Sequence, residues 1–244
     1  MVKDTALWIF ILIASVFFSA AYGRNVLWKD GITLWKDVAA KSPLSQSSHN
    51  NLGVFYFKDG FMKEATVEFV EAIRIRPDYG PAHKNLGVAY ERLGRLDEAI
   101  KEFGVALSFE PDYEEKRHYA EIHYNRGNAY AKKGLYDKAI EDYEFTLKVI
   151  SGHVQARNNL ALSNLELGRL DAAEDELKKA IAFYPDYVDA HYNIGLVYVK
   201  KGMPEEALAH FEKALALDPG RDKAARAIRE IKGFFTRERE RAKS

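Results

Sequence analysis

The chain has 244 residues, 47% hydrophobic and 30% charged, with 7 Pro and 16 Gly, a balance that excludes collagen-like and broadly disordered sequences. Lys and Arg together number 36, as do Asp and Glu, so no basic field exists to attract nucleic acid and no such partner is expected. The absence of Cys removes disulfides, thiolate metal sites and cysteine nucleophiles.

After a short flank, 1–5, residues 6–23 form an unbroken uncharged stretch containing Leu7, Ile9, Phe10, Ile11, Leu12, Ile13, Val16, Phe17 and Phe18. As a helix rising ~1.5 Å per residue it reaches ~27 Å, close to the ~30 Å hydrocarbon core of a bilayer. Trp8 and Tyr22 stand near its ends, at headgroup level, which favours a retained single-pass anchor. Two alternatives stay open. Ala21-Tyr22-Gly23 has the pattern of a signal-peptide cleavage site, and the stretch is also compatible with a buried apolar helix. Lys3 precedes the span while Arg24, Lys29, Lys36 and Lys41 follow it, an asymmetry that by itself places the remainder in the cytoplasm.

Residues 24–45 read as a degenerate half-repeat: one 34-residue step back from Pro77 lands on Pro43, and Leu27 to Lys41 carries Trp28, Leu34, Trp35 and Val38. From residue 46 the chain repeats with a period of 34, in units 46–79, 80–113, 120–153, 154–187 and 188–221, interrupted by an insertion from Glu114 to Tyr119. Unit position 8 holds Gly53, Gly87, Gly127 and Gly195 in mid-helix, where Gly costs roughly 1 kcal/mol relative to Ala unless a neighbour approaches closely. Position 20 is Ala65, Ala99, Ala139, Ala173 and Ala207, and position 24 is Phe69, Phe103, Tyr143, Leu177 and Phe211, expected to fill the space between units. Gly60, Gly94, Gly134, Gly168 and Gly202 at position 15 end a first helix. Pro77, Pro111, Pro185 and Pro219 at position 32 stop a second. Each unit is therefore a helical hairpin that needs its neighbours to bury its apolar face. Residues 222–244 form a capping helix and basic tail. Ala224, Ile228, Ile231 and Phe235 make one apolar stripe, residues 237–244 are expected to fray, and 221–244 holds nine Lys/Arg against four Asp/Glu, a net of +5 read as a solvated capping face in preference to an anionic partner site.

No catalytic or cofactor motif is present, so neither an enzyme nor a cofactor site is expected. His49, His83 and His191 recur one per hairpin, not clustered as metal ligands, and no metal site is assigned. The informative polar residue is at position 6: Asn51, Asn85, Asn125, Asn159 and Asn193 place an indifferent helix former there in all five units. A carboxamide offers one acceptor and two donor hydrogens, matching the backbone of an extended peptide whatever its sequence. The alternative is that each Asn orders the helix stack. Flanking positions would add selectivity: Asn50, Lys84, Tyr124, Asn158 and Tyr192 at position 5, and Val54, Val88, Asn128, Leu162 and Leu196 at position 9.

The run Leu52-Gly53-x-x-Tyr56 with Ala65, Phe69, Ala72 and Pro77, matched by Leu86-Gly87-x-x-Tyr90 with Ala99, Phe103, Ala106 and Pro111, resembles the tetratricopeptide repeat. That resemblance implies an all-α solenoid, a right-handed superhelix of hairpins, with a protein or peptide ligand in its concave groove, and the 6–23 stretch adds an N-terminal transmembrane helix to this fold class. The chain departs from the family pattern at position 4 (His49, His83, His123, Arg157, His191, where Trp is common) and at Arg126, Thr146, Ser151 and Asn164. The Asn series is similar to the one lining the repeats of O-linked N-acetylglucosamine transferases, which implies contact with extended polypeptide. Arg24-Asn25-x-x-Trp28, Trp35, Lys41-Ser42-Pro43 and Asn51-Leu52-Gly53 resemble the junction between membrane helix and repeats in the O-mannosyltransferase-type membrane proteins, without their catalytic domain. That resemblance implies an extracytoplasmic repeat domain, against the charge asymmetry. The reading adopted is a membrane-tethered scaffold for polypeptide, with two rivals: a substrate-docking arm of a membrane glycosyltransferase, and a self-associating structural protein, a homo-oligomer.

Overall fold

The computed structural model describes residues 31–109 and 116–241, with side chains to Arg237. Among them all regular structure is helical, twelve helices without a strand. The chain divides into two compact units, residues 1–109 and 110–244. The first holds α1 (Gly31–Lys41), α2 (Gln46–Lys58), α3 (Met62–Ile75), α4 (Gly80–Arg92) and α5 (Leu96–Ser108). The second holds α6 (Lys116–Lys132), α7 (Tyr136–Val149), α8 (Val154–Glu166), α9 (Leu170–Phe183), α10 (Val188–Lys200), α11 (Pro204–Leu217) and α12 (Asp222–Arg241). Each consecutive pair from α2/α3 to α10/α11 is one hairpin, numbered 1 to 5 in chain order. Residues 6–23 and the Arg24–Trp28 part of the junction lie outside the described residues, within which no helix is long and apolar enough to cross a membrane.

The turns are built from the position-15 glycines. All five have φ between 73° and 85°, the left-handed region where a side chain is costly. In hairpin 1 the Gly60 N–H donates to the Phe57 carbonyl at 3.2 Å and the Phe61 N–H to the Tyr56 carbonyl at 2.8 Å, the paired bonds of a Schellman cap. The same two bonds recur at Gly94, Gly134, Gly168 and Gly202. Second helices end just before the position-32 prolines, yet α7 also ends, at Val149, with Ser151 at that position.

The position-8 glycines serve a close approach within each hairpin. A Cβ at Gly53, Gly87, Gly127 or Gly195 would lie 2.6–2.8 Å from the aromatic ring at position 24 of its own second helix. The rings fill the gap inside a hairpin, a contact that adds to the expected filling of the space between units. Phe69 does also join Leu86 and Ala89 of the next hairpin. Hairpin 4 solves the same packing differently, with Ala161 at position 8 and Leu177 at position 24, both buried.

The ends follow their own patterns. In the N-terminal unit α1 packs on α2 as the second helix of a half-repeat. The sequence boundary at 120 falls inside α6, whose 17 residues exceed the 13 of α2, so residues 116–119 of the insertion add helix. At the C-terminus Ala224, Ile228 and Ile231 are buried against hairpin 5, and α12 continues to Arg241, past the expected fraying point.

Candidate functional site

Position 4 of each first helix shows why this chain departs from Trp. His49 Nδ1 lies 2.7 Å from Glu68 Oε2 and His83 Nδ1 2.6 Å from Glu102 Oε2, while their Nε2 atoms bond the Pro43 and Pro77 carbonyls at 3.2 and 2.9 Å. Arg157 makes the equivalent pair, Nη1 to Glu176 at 2.7 Å and Nη2 to the Ser151 carbonyl at 2.9 Å. One side chain thus ties the first helix to its own second helix and to the preceding loop. The signal was present in the sequence as the 19-residue spacing from position 4 to an acid at position 23.

Hairpin 5 breaks this rule. His210 replaces the carboxylate, its Nδ1 3.1 Å from His191 Nδ1, with Tyr198 stacked on its ring at 5.6 Å. Burial lowers the His210 pKa, and the nearby His191 and Lys178 lower it further. The His83 pKa is raised: burial opposes the charge, but hydrogen bonds to Glu102 and the Pro77 carbonyl prevail. The two histidines therefore contribute opposite pH trends. A lowered folded pKa costs stability as pH falls below the unfolded value near 6.5, whereas the raised His83 pKa contributes stability below that value that is lost as pH rises through the folded one. His210→Glu should thus raise the melting temperature more at pH 5.5 than at pH 8. Equal shifts at both pH values would show that the His pair does not control the trend.

Positions 5, 6 and 9 meet between adjacent first helices. Asn85 Nδ2 donates to Asn50 Oδ1 at 2.9 Å, and Asn193 Nδ2 to Asn158 Oδ1 at 2.7 Å, each pair 35 residues apart. Asn159 Nδ2 donates to Asn128 Oδ1 at 2.9 Å and sits 3.5 Å from the Tyr124 hydroxyl. Asn158 Nδ2 donates to Asn159 Oδ1 at 3.2 Å, and the Tyr143 hydroxyl to Asn128 at 2.9 Å. Three of the five candidate amides therefore fasten neighbouring hairpins, which is the geometry of the stack-ordering alternative. One such bond uses one of an amide's two donor hydrogens. Asn51 and Asn125 are half-buried on the first hairpin described in each unit and take no part in these bonds.

Around this row the position-5 side chains differ. Lys84 is half-buried, the Tyr124 ring lies 4.7 Å from that of His153, and the Arg221 guanidinium sits 4.9 Å above the Tyr192 ring. In the N-terminal unit Val54, Phe57, Lys58, Phe69, Asn85 and Val88 line an open recess of about 190 Å³, which brings one position-6 amide together with two position-9 valines. Among the described residues no group of three or more His, Asp or Glu could hold a metal ion.

Comparison with known proteins agrees with this architecture. One model of the tetratricopeptide repeat matches residues 120–152 and 188–221, and a second model of the repeat matches 92–134 and 161–202. No curated protein sequence matches significantly. Among solved structures, YrrB, described as a TPR protein with an unusual peptide-binding site, superposes with a TM-score of 0.66 at 19% identity, over 79% of this chain and 96% of that one. MamA from Desulfovibrio magneticus RS-1 gives 0.65 at 21% identity, over 72% and 97%. MamA MSR-1 gives 0.61 at 26% identity, over 71% and 97%. With its Schellman-capped turns and small-to-large hairpin packing, the chain carries tetratricopeptide repeats, matched by models of the repeat over residues 92–152 and 161–221.

Proposed function

We propose that this repeat domain binds extended polypeptide along the face formed by its first helices, with the position-6 amides contacting ligand backbone and positions 5 and 9 choosing among side chains. The observation that carries the reading is the recess where the Asn85 amide meets the apolar walls of Val54 and Val88, since a backbone needs polar partners and its side chains need apolar ones. Lys84, Tyr124 and Tyr192 flank that face, while Asn50 and Asn158 are buried behind it as the acceptors of Asn85 and Asn193. Residues 6–23 supply the tether in this reading, because an uncharged stretch of this length is matched to a bilayer.

The amides divide into two experimental classes. Asn193, buried and bonded to Asn158, should cost about 1 kcal/mol or more of stability when changed to Ala. Asn51→Ala and Asn125→Ala should leave the melting temperature unchanged while each weakens polypeptide binding by about 1 kcal/mol, near fivefold. The direct test is photocrosslinking from p-benzoylphenylalanine at Tyr124 in the full chain. Adducts with polypeptide that decrease in the Asn125→Ala background are expected. Adducts with lipid alone, or a yield indifferent to Asn125, would overturn the reading.

A further inference from the structure

Carrying the 34-residue period one step past hairpin 5 makes α12 a sixth first helix, with Asp222 at position 1. At position 6, where five hairpins carry Asn, α12 has Ala227. The consequence is visible in a repeat-equivalent place. The recess between hairpins 1 and 2 is walled by positions 9, 12 and 24 of one hairpin and positions 6 and 9 of the next. At the C-terminal end the same positions are Leu196, Val199 and Phe211 of hairpin 5 and Ala227 and Glu230 of α12, joined by Ile231 and Phe234, around a groove of about 530 Å³. Ala227 supplies no carboxamide, so this groove is larger and its walls are apolar except for Glu230. Val199 and Phe234 are 48% and 47% exposed, an apolar surface that water wets at a cost.

The charges beside the groove indicate what covers it. The lining itself holds one charge, the exposed Glu230, but the α12 surface around it is net cationic: Lys223 stands one turn before Ala227, Arg226 one turn before Glu230 and Arg237 one turn beyond Phe234, all exposed. We infer that the groove between hairpin 5 and α12 is an anchor pocket for a bulky apolar side chain carried by an acidic segment of another protein, an inference that rests on the first-helix face being a polypeptide site. The chain's own 6–23 stretch is apolar but has no carboxylate to meet these cations. An anionic bilayer suits the charge but not the shape, because Ala224, Ile228 and Ile231 are buried and leave Phe234 as the one large apolar side chain exposed on the described part of α12, too little for a continuous face to lay into lipid.

The test uses the full chain in detergent, immobilised and panned with a phage-displayed library of random 12-residue peptides. Enriched sequences should carry Leu, Phe or Trp flanked by Asp and Glu. The synthetic consensus peptide, followed by fluorescence anisotropy, should bind at least tenfold more weakly to Ala227→Asn and to Phe234→Ser. Combined charge reversal at Lys223→Glu, Arg226→Glu and Arg237→Glu, all on exposed side chains and so independent of folding, should abolish binding. No enrichment, enrichment of basic or wholly polar peptides, or a consensus indifferent to the charge reversal would overturn the proposal. Self-association that disappears in Ala227→Asn, or phosphatidylserine-vesicle binding that disappears on charge reversal, would overturn it in favour of a second copy or a membrane. Peptide binding weakened by Asn51→Ala and Asn125→Ala but not by the groove variants would leave the first-helix face standing and remove the pocket. The reverse pattern would keep the pocket and remove the amide row.

Discussion

Asp142→Ala will destabilise hairpin 3 by on the order of 3 kcal/mol, the largest loss expected from any polar substitution described above. The Asp142 side chain is 4% exposed and accepts from Arg126 Nε at 2.8 Å, Arg126 Nη2 at 2.7 Å and His123 Nδ1 at 2.6 Å. Arg126 and His123 are themselves only 23% and 17% exposed, so removing the carboxylate strands a guanidinium that water reaches poorly. Arg126→Leu should cost much less. It restores the apolar residue that Leu52, Leu86, Leu160 and Ile194 supply at position 7, and it leaves His123 paired with an acid as in hairpins 1 and 2. Urea unfolding of the two variants checks this, and equal losses would show that the stranded cation is not the source.

A second large effect lies in the packing of hairpin 5. A Cβ on residue 195 would sit 2.6 Å from Phe211 Cε1 and 2.8 Å from Cδ1. Gly195→Ala forces that ring to move and should cost on the order of 1–3 kcal/mol. Phe211→Leu alone leaves unfilled space beside Gly195 and should cost a comparable amount. Together the two substitutions reproduce the Ala161 and Leu177 pair of hairpin 4, so the double variant should be more stable than the sum of the single losses by 1 kcal/mol or more. A thermal or urea double-mutant cycle with no coupling would refute the account of why Gly and an aromatic ring occur together.

The hairpins were legible because each of their devices is local. Gly at position 15 and Gly at position 8 each act within one hairpin, and periodicity displays the first five times and the second four. The roles of Arg126 and Thr146 were not legible, because they depend on groups of the facing helix, the Asp142 carboxylate for Arg126 and the Ala120 carbonyl for Thr146. The buried Thr146 Oγ1 lies 3.1 Å from the Ala120 carbonyl and 2.9 Å from the Asp142 carbonyl, so its single hydroxyl hydrogen is shared between the facing helix and its own. The same limit applies to the candidate site. The sequence placed five Asn in one row but not their partners, and only the coordinates reveal that Asn85, Asn159 and Asn193 direct a donor at the preceding hairpin while Asn51 and Asn125 take no part in those bonds. Ala227 lies beyond the last full unit, in a helix without the Gly and Pro punctuation that marks position 6 elsewhere.

The short reach of these fastenings bears on how the chain is made. The amide bonds between hairpins span 31 or 35 residues, and the position-4 ties span 19 and 6. Loop closure over such distances is fast compared with translation at about 5–20 residues per second. Within each compact unit, a nascent hairpin can lock onto its finished predecessor once roughly one further repeat has left the ribosome, a geometry that permits assembly in the order of synthesis.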